Sequence, residues 1–204
     1  LKKFQNNQAM YNFPLDINFK IGTLSNDFIA KDATGNTVAY VRQKMFKLKE
    51  DILIYDGEAK KNVNFRIRAN KWLDFSASYL FTDDQEVEIG RVTRKGIRSI
   101  WNATYEIYDA AQNHDYTISE ENPWIKVLDA VLSEIPILGI FTGYLFNPTY
   151  LVKDSNNNVV AKLKKMQSFF GRKFQVQKTG DLGEAESRIL LGLMMMILLE
   201  RRRG

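Results

Sequence analysis

Glu184-Ala185-Glu186-Ser187-Arg188-Ile189-Leu190-Leu191-Gly192-Leu193-Met194-Met195-Met196-Ile197-Leu198-Leu199-Glu200-Arg201-Arg202-Arg203 is the stretch whose reading decides the fold. Good helix formers open it with acids in the first turn and cations close it, the order that complements a helix dipole. Between them, residues 189–199 form a run of 11 without a charged side chain, Gly192 included. A helix that is apolar around its whole circumference has to be surrounded on every side. A bilayer would do this, but a span takes about 20 apolar residues. The run therefore predicts a core helix over 184–203, with Ile189, Leu190, Leu193, Met194, Ile197 and Leu198 as core residues. Unbranched methionines fill uneven gaps, and Gly192 would let a strand approach closely.

The rest of the chain has to supply the enclosure, and it repeats itself. Phe28-Ile29-Ala30-Lys31-Asp32 is followed by Val38-Ala39-Tyr40-Val41-Arg42-Gln43-Lys44, and Tyr79-Leu80-Phe81-Thr82-Asp83 by Ile89-Gly90-Arg91-Val92-Thr93-Arg94-Lys95. Tyr150-Leu151-Val152-Lys153-Asp154 precedes Val160-Ala161-Lys162-Leu163-Lys164-Lys165 in the same way. Two further copies run from Ile52 through Asp56 to Arg68 and from Tyr105 through Asp109 to Ile118. Within each copy apolar and polar residues alternate, as in Phe65-Arg66-Ile67-Arg68, which is the period of a strand with one buried face. Each Asp falls in a turn-like cluster, such as Asp32-Ala33-Thr34-Gly35-Asn36, where a short carboxylate can hydrogen-bond the turn backbone. Repeated strand pairs around an apolar helix read as one closed antiparallel β-barrel, a single domain over 1–204.

Between Asp109 and Asp154 the spacing lengthens to make room for an insertion. Asn122 is a good N-cap, Pro123 suits the first helical position, and Trp124, Val127, Leu128, Val131 and Leu132 share one helical face. An inserted amphipathic helix is expected over 122–135, ending before Pro136. The apolar stretch 137–146, with Gly139 and Gly143, is expected to cover one mouth of the barrel or to join the core.

Composition excludes several functions. The chain of 204 residues contains no cysteine, which removes disulfides, thiolate nucleophiles and thiolate metal sites, and a single histidine, His114, which removes multi-histidine metal centres. His114 lies between Asn113 and Asp115 in what reads as an exposed hairpin turn, a poor setting for a general base. The carboxylates of Asp83, Asp84, Glu86 and Glu88 and of Glu120 and Glu121 read as turns or exposed strand faces. There is no phosphate-binding loop, dinucleotide fingerprint or calcium loop. No catalytic residue, metal or cofactor is expected, and the chain reads as a non-enzyme. The first seven residues, Leu1-Lys2-Lys3-Phe4-Gln5-Asn6-Asn7, lack the apolar core of a signal peptide.

The net charge is +5, and the basic residues are patterned. Arg42 and Lys44, Arg66 and Arg68, Arg91, Arg94 and Lys95, and Lys162, Lys164 and Lys165 take corresponding places in successive units. In a barrel such places can lie side by side as a positive band able to hold the phosphates of a lipid headgroup. Outward charge also serves solubility. Nucleic acid is not expected, because the aromatics alternate as strand-core positions rather than forming a stacking platform.

The repeats and terminal helix together resemble the LURP-one-related family of the tubby-like C-terminal superfamily. The resemblance rests on 42–56, on Ile89-Gly90-Arg91-Val92-Thr93-Arg94-Lys95, on Thr104-Tyr105-Glu106-Ile107-Tyr108-Asp109 and on the apolar helix. It implies a barrel of about twelve strands around a central C-terminal helix. The superfamily includes phosphoinositide-binding tubby proteins and phospholipid scramblases, so it implies recognition of anionic phospholipid or phosphoinositide headgroups by a cytoplasmic protein peripheral to the membrane. The alternatives are a protein-interaction scaffold and a scramblase-like lipid transporter. The sequence departs from scramblases in lacking palmitoylatable Cys and an acidic calcium loop.

Overall fold

Alternation is the rule that builds the wall. In Thr104–Tyr108 the side chains of Tyr105 and Ile107 are buried and their neighbours are not, and Leu15–Phe19 buries Leu15, Ile17 and Phe19. The computed structural model describes residues 11–20, 27–43, 51–69, 78–95, 104–121, 148–168 and 173–201. Within them twelve strands run in chain order: β1 Leu15–Phe19, β2 Phe28–Lys31, β3 Thr37–Gln43, β4 Asp51–Tyr55, β5 Val63–Ala69, β6 Ser78–Asp83, β7 Glu88–Lys95, β8 Thr104–Tyr108, β9 His114–Glu120, β10 Thr149–Asp154, β11 Val159–Met166 and β12 Lys173–Lys178. Each pairs antiparallel with the next, and β12 returns to β1, so the sheet closes into a barrel. Closure leaves no edge strand among the described residues to template aggregation.

One local device recurs in five hairpins. Asp32, Asp56, Asp83, Asp109 and Asp154 each take their backbone N–H to a carbonyl across the turn, at Asn36, Asn62, Val87, Asn113 and Asn158. The same carboxylates accept turn N–H groups, for example those of Gln85 and Val87 on Asp83 and of Asn156 and Asn158 on Asp154. A residue with positive φ completes every turn: Gly35, Lys60, Glu86, Gln112 and Asn157. The register then skips one residue on the returning strand, at Val38, Asn64, Ile89, Asp115 and Val160. This is a tight turn with a following bulge, and bulges increase the local twist that a barrel needs. The repeated Asp is thus a turn residue.

The last element is a 3-10 turn, Gly183–Ala185, leading into the helix α1, Glu186–Arg201. From Ile189 to Leu198 every side chain is buried, none above 5% exposed, and these residues share one apolar cluster with the inward residues of the strands. A Cβ on Gly192 would lie 2.8 Å from the tip of the Ile107 side chain, so the helix and β8 approach closely here and any larger residue would have to displace Ile107. At the helix start, Glu186 accepts the Tyr11 N–H at 2.9 Å and pairs with Lys178 at 3.4 Å. Arg188 crosses over Gly90 to reach Asp115 at 2.7 Å. Gly90 has φ +147°, and a Cβ there would meet the Tyr108 carbonyl at 2.4 Å. Two ionic anchors therefore fix the start of α1 at the turn end of the barrel.

The structure refines the sequence expectations in three places. The helix expected over 184–203 is an α-helix only from Glu186, after the 3-10 turn. The repeats revealed β2 to β11 but not β1 and β12, the pair that closes the wall. His114 begins β9 rather than sitting in the loop, and its side chain contacts Thr117 at 3.0 Å. The inserted helix at 122–135 and the stretch 137–146 lie outside the described residues.

Candidate functional site

The outward face holds the basic residues, and the register sorts them into two sectors. In the first, β3 to β8, two rows cross the wall. Arg42, Leu53, Arg66 and Thr82 are successive register partners, as are Arg68, Leu80, Arg91 and Tyr108. Neighbouring strands are about 4.8 Å apart, so the backbones that carry the arginines of one row lie about 10 Å apart, two strands from each other. Three of the four arginines are also answered, while Arg42 has no ion-pair partner among the described residues. Arg66 reaches Glu86 at 2.6 Å and Asp51 at 3.6 Å, and Arg68 reaches the same Glu86 oxygen at 3.3 Å. Arg91 pairs with Glu88 at 3.5 Å and Lys95 with Glu106 at 3.1 Å. Burial alone would raise the Glu106 carboxyl, but hydrogen bonds from Tyr108 and Lys95 outweigh it and hold it below its ordinary value. The Tyr108 phenol is in turn pushed up to about 12, first by that hydrogen bond and then by burial.

The second sector is β10 to β12. Lys162 and Lys164 alternate outward on β11, with Leu151 and Thr149 as partners on β10 and Gln177 and Gln175 on β12. Lys153 lies on β10, and Lys173 sits opposite Met166. Lys162 pairs with Glu121 at 3.3 Å. Lys153, Lys164 and Lys173 have no ion-pair partner among the described residues. Met166 stands beside Lys164 and Lys173, at the far end of β11 from Lys153, with 38% of its surface exposed, one of two large apolar side chains so exposed among the described residues.

Of the ten basic residues singled out in the sequence, the structure puts seven on the outer face: Arg42, Arg66, Arg68, Arg91, Lys95, Lys162 and Lys164. Arg94 belongs by register to the inward series of Gly90 and Val92, opposite buried Tyr105, and its Nε is buried without a hydrogen-bond partner. Lys165 likewise falls in the inward series of Ala161 and Leu163, opposite Phe174. The step of one residue from Arg94 to Lys95, or from Lys164 to Lys165, changes face because the strand period is two. Lys44 lies outside the described residues. Sequence reasoning missed Lys173 and Met166; the alternation in Lys173-Phe174-Gln175-Val176-Gln177-Lys178 was the available signal for Lys173.

A third outward feature is Tyr40, which is 3% exposed although it alternates with the inward Ala39 and Val41. It donates its hydroxyl to buried Asp27, and Lys20 and Lys60 approach its ring at 5.1 and 4.5 Å. The turn between β4 and β5, longer than the others, brings Lys60 there and Glu58 to Lys20 at 2.8 Å. Burial, followed by the Asp27 hydrogen bond, pushes the Tyr40 phenol up to about 12. Among the described residues no group of three or more acidic or histidine side chains is placed to hold a metal ion. No helix among them is long and apolar enough to cross a membrane.

Residues 37–173, more than half of the chain, match a family model described as LURP-one-related. The X-ray structure of a protein from Arabidopsis thaliana superposes with a TM-score of 0.52 over 95% of this chain and 97% of that one, at 13% identity. At that identity the likeness concerns the fold alone. No curated protein matches the sequence.

Proposed function

Because the chain belongs to the LURP-one-related family, we propose that it is a non-enzymatic binding module, a barrel with α1 as its central core that recognises anionic phospholipid headgroups on the cytoplasmic side of a membrane. The observation that carries this reading is the second sector, where Lys164 and Lys173 stand without acidic partners among the described residues beside exposed Met166. An ammonium with no carboxylate to leave is free to take a phosphate, and each cation close to an anionic surface contributes about 1 kcal/mol of attraction. The Met166 side chain adds an apolar contact at the same place. Phosphoinositides, with several phosphates per headgroup, would engage more than one of these lysines together.

Liposome flotation tests it. Vesicles containing phosphatidylserine or a phosphoinositide should carry the protein at low salt and release it as salt rises, because surface attraction is screened. Neutral phosphatidylcholine vesicles should leave it behind. Absence of flotation with every anionic composition at low salt sinks the reading, and a defined oligomer under those conditions would favour a protein-interaction scaffold instead.

A further inference from the structure

One carboxylate oxygen in the arginine sector serves two cations. Arg66 and Arg68, two residues apart on β5, both reach Glu86 Oε1, at 2.6 and 3.3 Å. Guanidinium forks suit carboxylates, so the pair makes an anion site whose present occupant belongs to the chain itself. That occupant is loosely held. The β6–β7 turn is fixed by Asp83, whose N–H, carbonyl and carboxylate bond the main chain of Gln85, Glu86 and Val87. The Glu86 side chain can therefore leave without undoing the turn. It is 64% exposed, a setting in which ion pairs contribute little.

Glutamate is also an unfavourable choice for this turn. Glu86 has φ +60°, in the left-handed region that glycine and asparagine adopt most easily. The strain brings nothing to the hairpin, and what the residue adds is its contact with the two arginines.

The surroundings select the class of anion. With Glu86 withdrawn, Arg66 and Arg68 face Asp51, whose carboxylate lies 3.6 Å from Arg66 Nε. Two positive charges against one negative leave a single net positive charge, which matches a carboxylate. A dianionic phosphate would be repelled by Asp51. Hydrogen-bonding capacity remains as well: Arg66 Nε and the hydroxyl of Thr82, the register partner of Arg66 on β6, are both buried without a hydrogen-bond partner. Half-buried Leu80, between Arg68 and Arg91 across the strands, offers an apolar contact beside the charges.

We infer that the arginine sector is a docking surface for an acidic segment of a partner protein, whose carboxylate takes the place of Glu86 on Arg66 and Arg68. This goes beyond the lipid reading, which concerns the lysines, and stands without it.

The probe is the fluorescein-labelled peptide acetyl-Asp-Asp-Leu-Glu-Leu-amide, read by fluorescence anisotropy at low salt on the full chain. Glu86→Gly removes the internal carboxylate and suits the backbone of the turn. It should bind the peptide about fivefold more tightly than the parent, the scale of one exposed ion pair. Adding Arg66→Gln and Arg68→Gln should abolish the gain, whereas adding Lys164→Glu and Lys173→Glu should leave most of it. Circular dichroism checks the fold of each variant, and Arg68→Gln alone, at a 44% exposed position, repeats the test if the double change does not fold. Equal binding by the parent and Glu86→Gly, or a gain that survives loss of the arginines, overturns the inference. Displacement of the peptide by inorganic phosphate more readily than by acetate at equal ionic strength overturns it too, since the site would then be one for phosphate.

Discussion

The arginine sector of β3 to β8 and the lysine sector of β10 to β12 look alike as sequence and differ as surfaces. Both come from returning strands of the same repeat, with cations two residues apart. In the first, Glu86, Glu88, Glu106 and Asp51 lie within reach, supplied by a turn and by neighbouring strands. In the second, the partners across the ladder are Thr149, Leu151, Gln175 and Gln177, and only Lys162 finds a carboxylate among the described residues. The lesson is that free charge is a property of register. Counting Lys and Arg along a strand gives density, and only the neighbouring strands say how much of it is already neutralised.

The largest expected effect removes the wall on which the comparison stands. Leu193 is fully buried, and Leu193→Asp places a carboxylate in the apolar cluster at a cost of more than about 4 kcal/mol. Thermal denaturation followed by circular dichroism should show no cooperative transition; a transition near that of the parent would mean that α1 is not essential to the core.

Next comes the lysine sector. Lys164→Glu with Lys173→Glu should lower partitioning onto phosphatidylserine vesicles by about tenfold or more, given ~1 kcal/mol per cation at the surface, with the melting temperature nearly unchanged. Unaltered partitioning would remove this sector from the site. Glu86→Gln should do the reverse on the other side: it leaves Arg66 and Arg68 without their shared carboxylate, and vesicle binding should rise about two- to fivefold. No rise would show that those arginines do not reach the lipid. Arg66→Gln with Arg68→Gln should leave vesicle binding within about twofold and destabilise the fold by about 1 kcal/mol, since exposed pairs contribute little. A binding loss as large as that of the lysine pair would erase the distinction between the sectors.

The smallest effect at neutral pH concerns Asp154, which closes the β10–β11 hairpin. The Asn158 side chain, the leading cause, holds the Asp154 carboxyl below the ordinary carboxylate range. The stability it contributes is present above the unfolded value and is lost as pH falls through the folded one. Asp154→Asn should therefore lower the melting temperature modestly at pH 7 and flatten its fall below about pH 4, so that variant and parent converge in acid. An acid limb identical to the parent's would place the linkage elsewhere, with Asp32, Glu58 and Asp109 as the other turn carboxylates shifted the same way.

Local chemistry was legible because it is local. The Asp anchors announced five turns, since a carboxylate and the N–H groups it binds are neighbours in the chain. The all-apolar run 189–199 announced a buried helix, and Gly192 announced a close approach, since a charge-free circumference and a missing Cβ are visible in one dimension. The positive φ at Lys60, Glu86 and Gln112 was not legible, because only Gly35 and Asn157 carry residues that such a conformation favours. β1 and β12 were missed because neither belongs to a hairpin of the repeat, and their pairing joins residues some 160 positions apart.

The sequence by itself therefore determined the strand pairs, their turns, the buried helix and an excess of cations. Tertiary structure alone decided closure, through the β1–β12 pairing. It also decided that Arg94 and Lys165 fall on the inward series while their neighbours face out, because a strand's face depends on where its ladder starts. The same register separated neutralised arginines from unpaired lysines and gathered the turn carboxylates onto one rim. The physical reason is common to all three: electrostatic pairing and facing depend on distances between strands, which the hydrogen-bonded ladder sets and the order of residues along the chain does not.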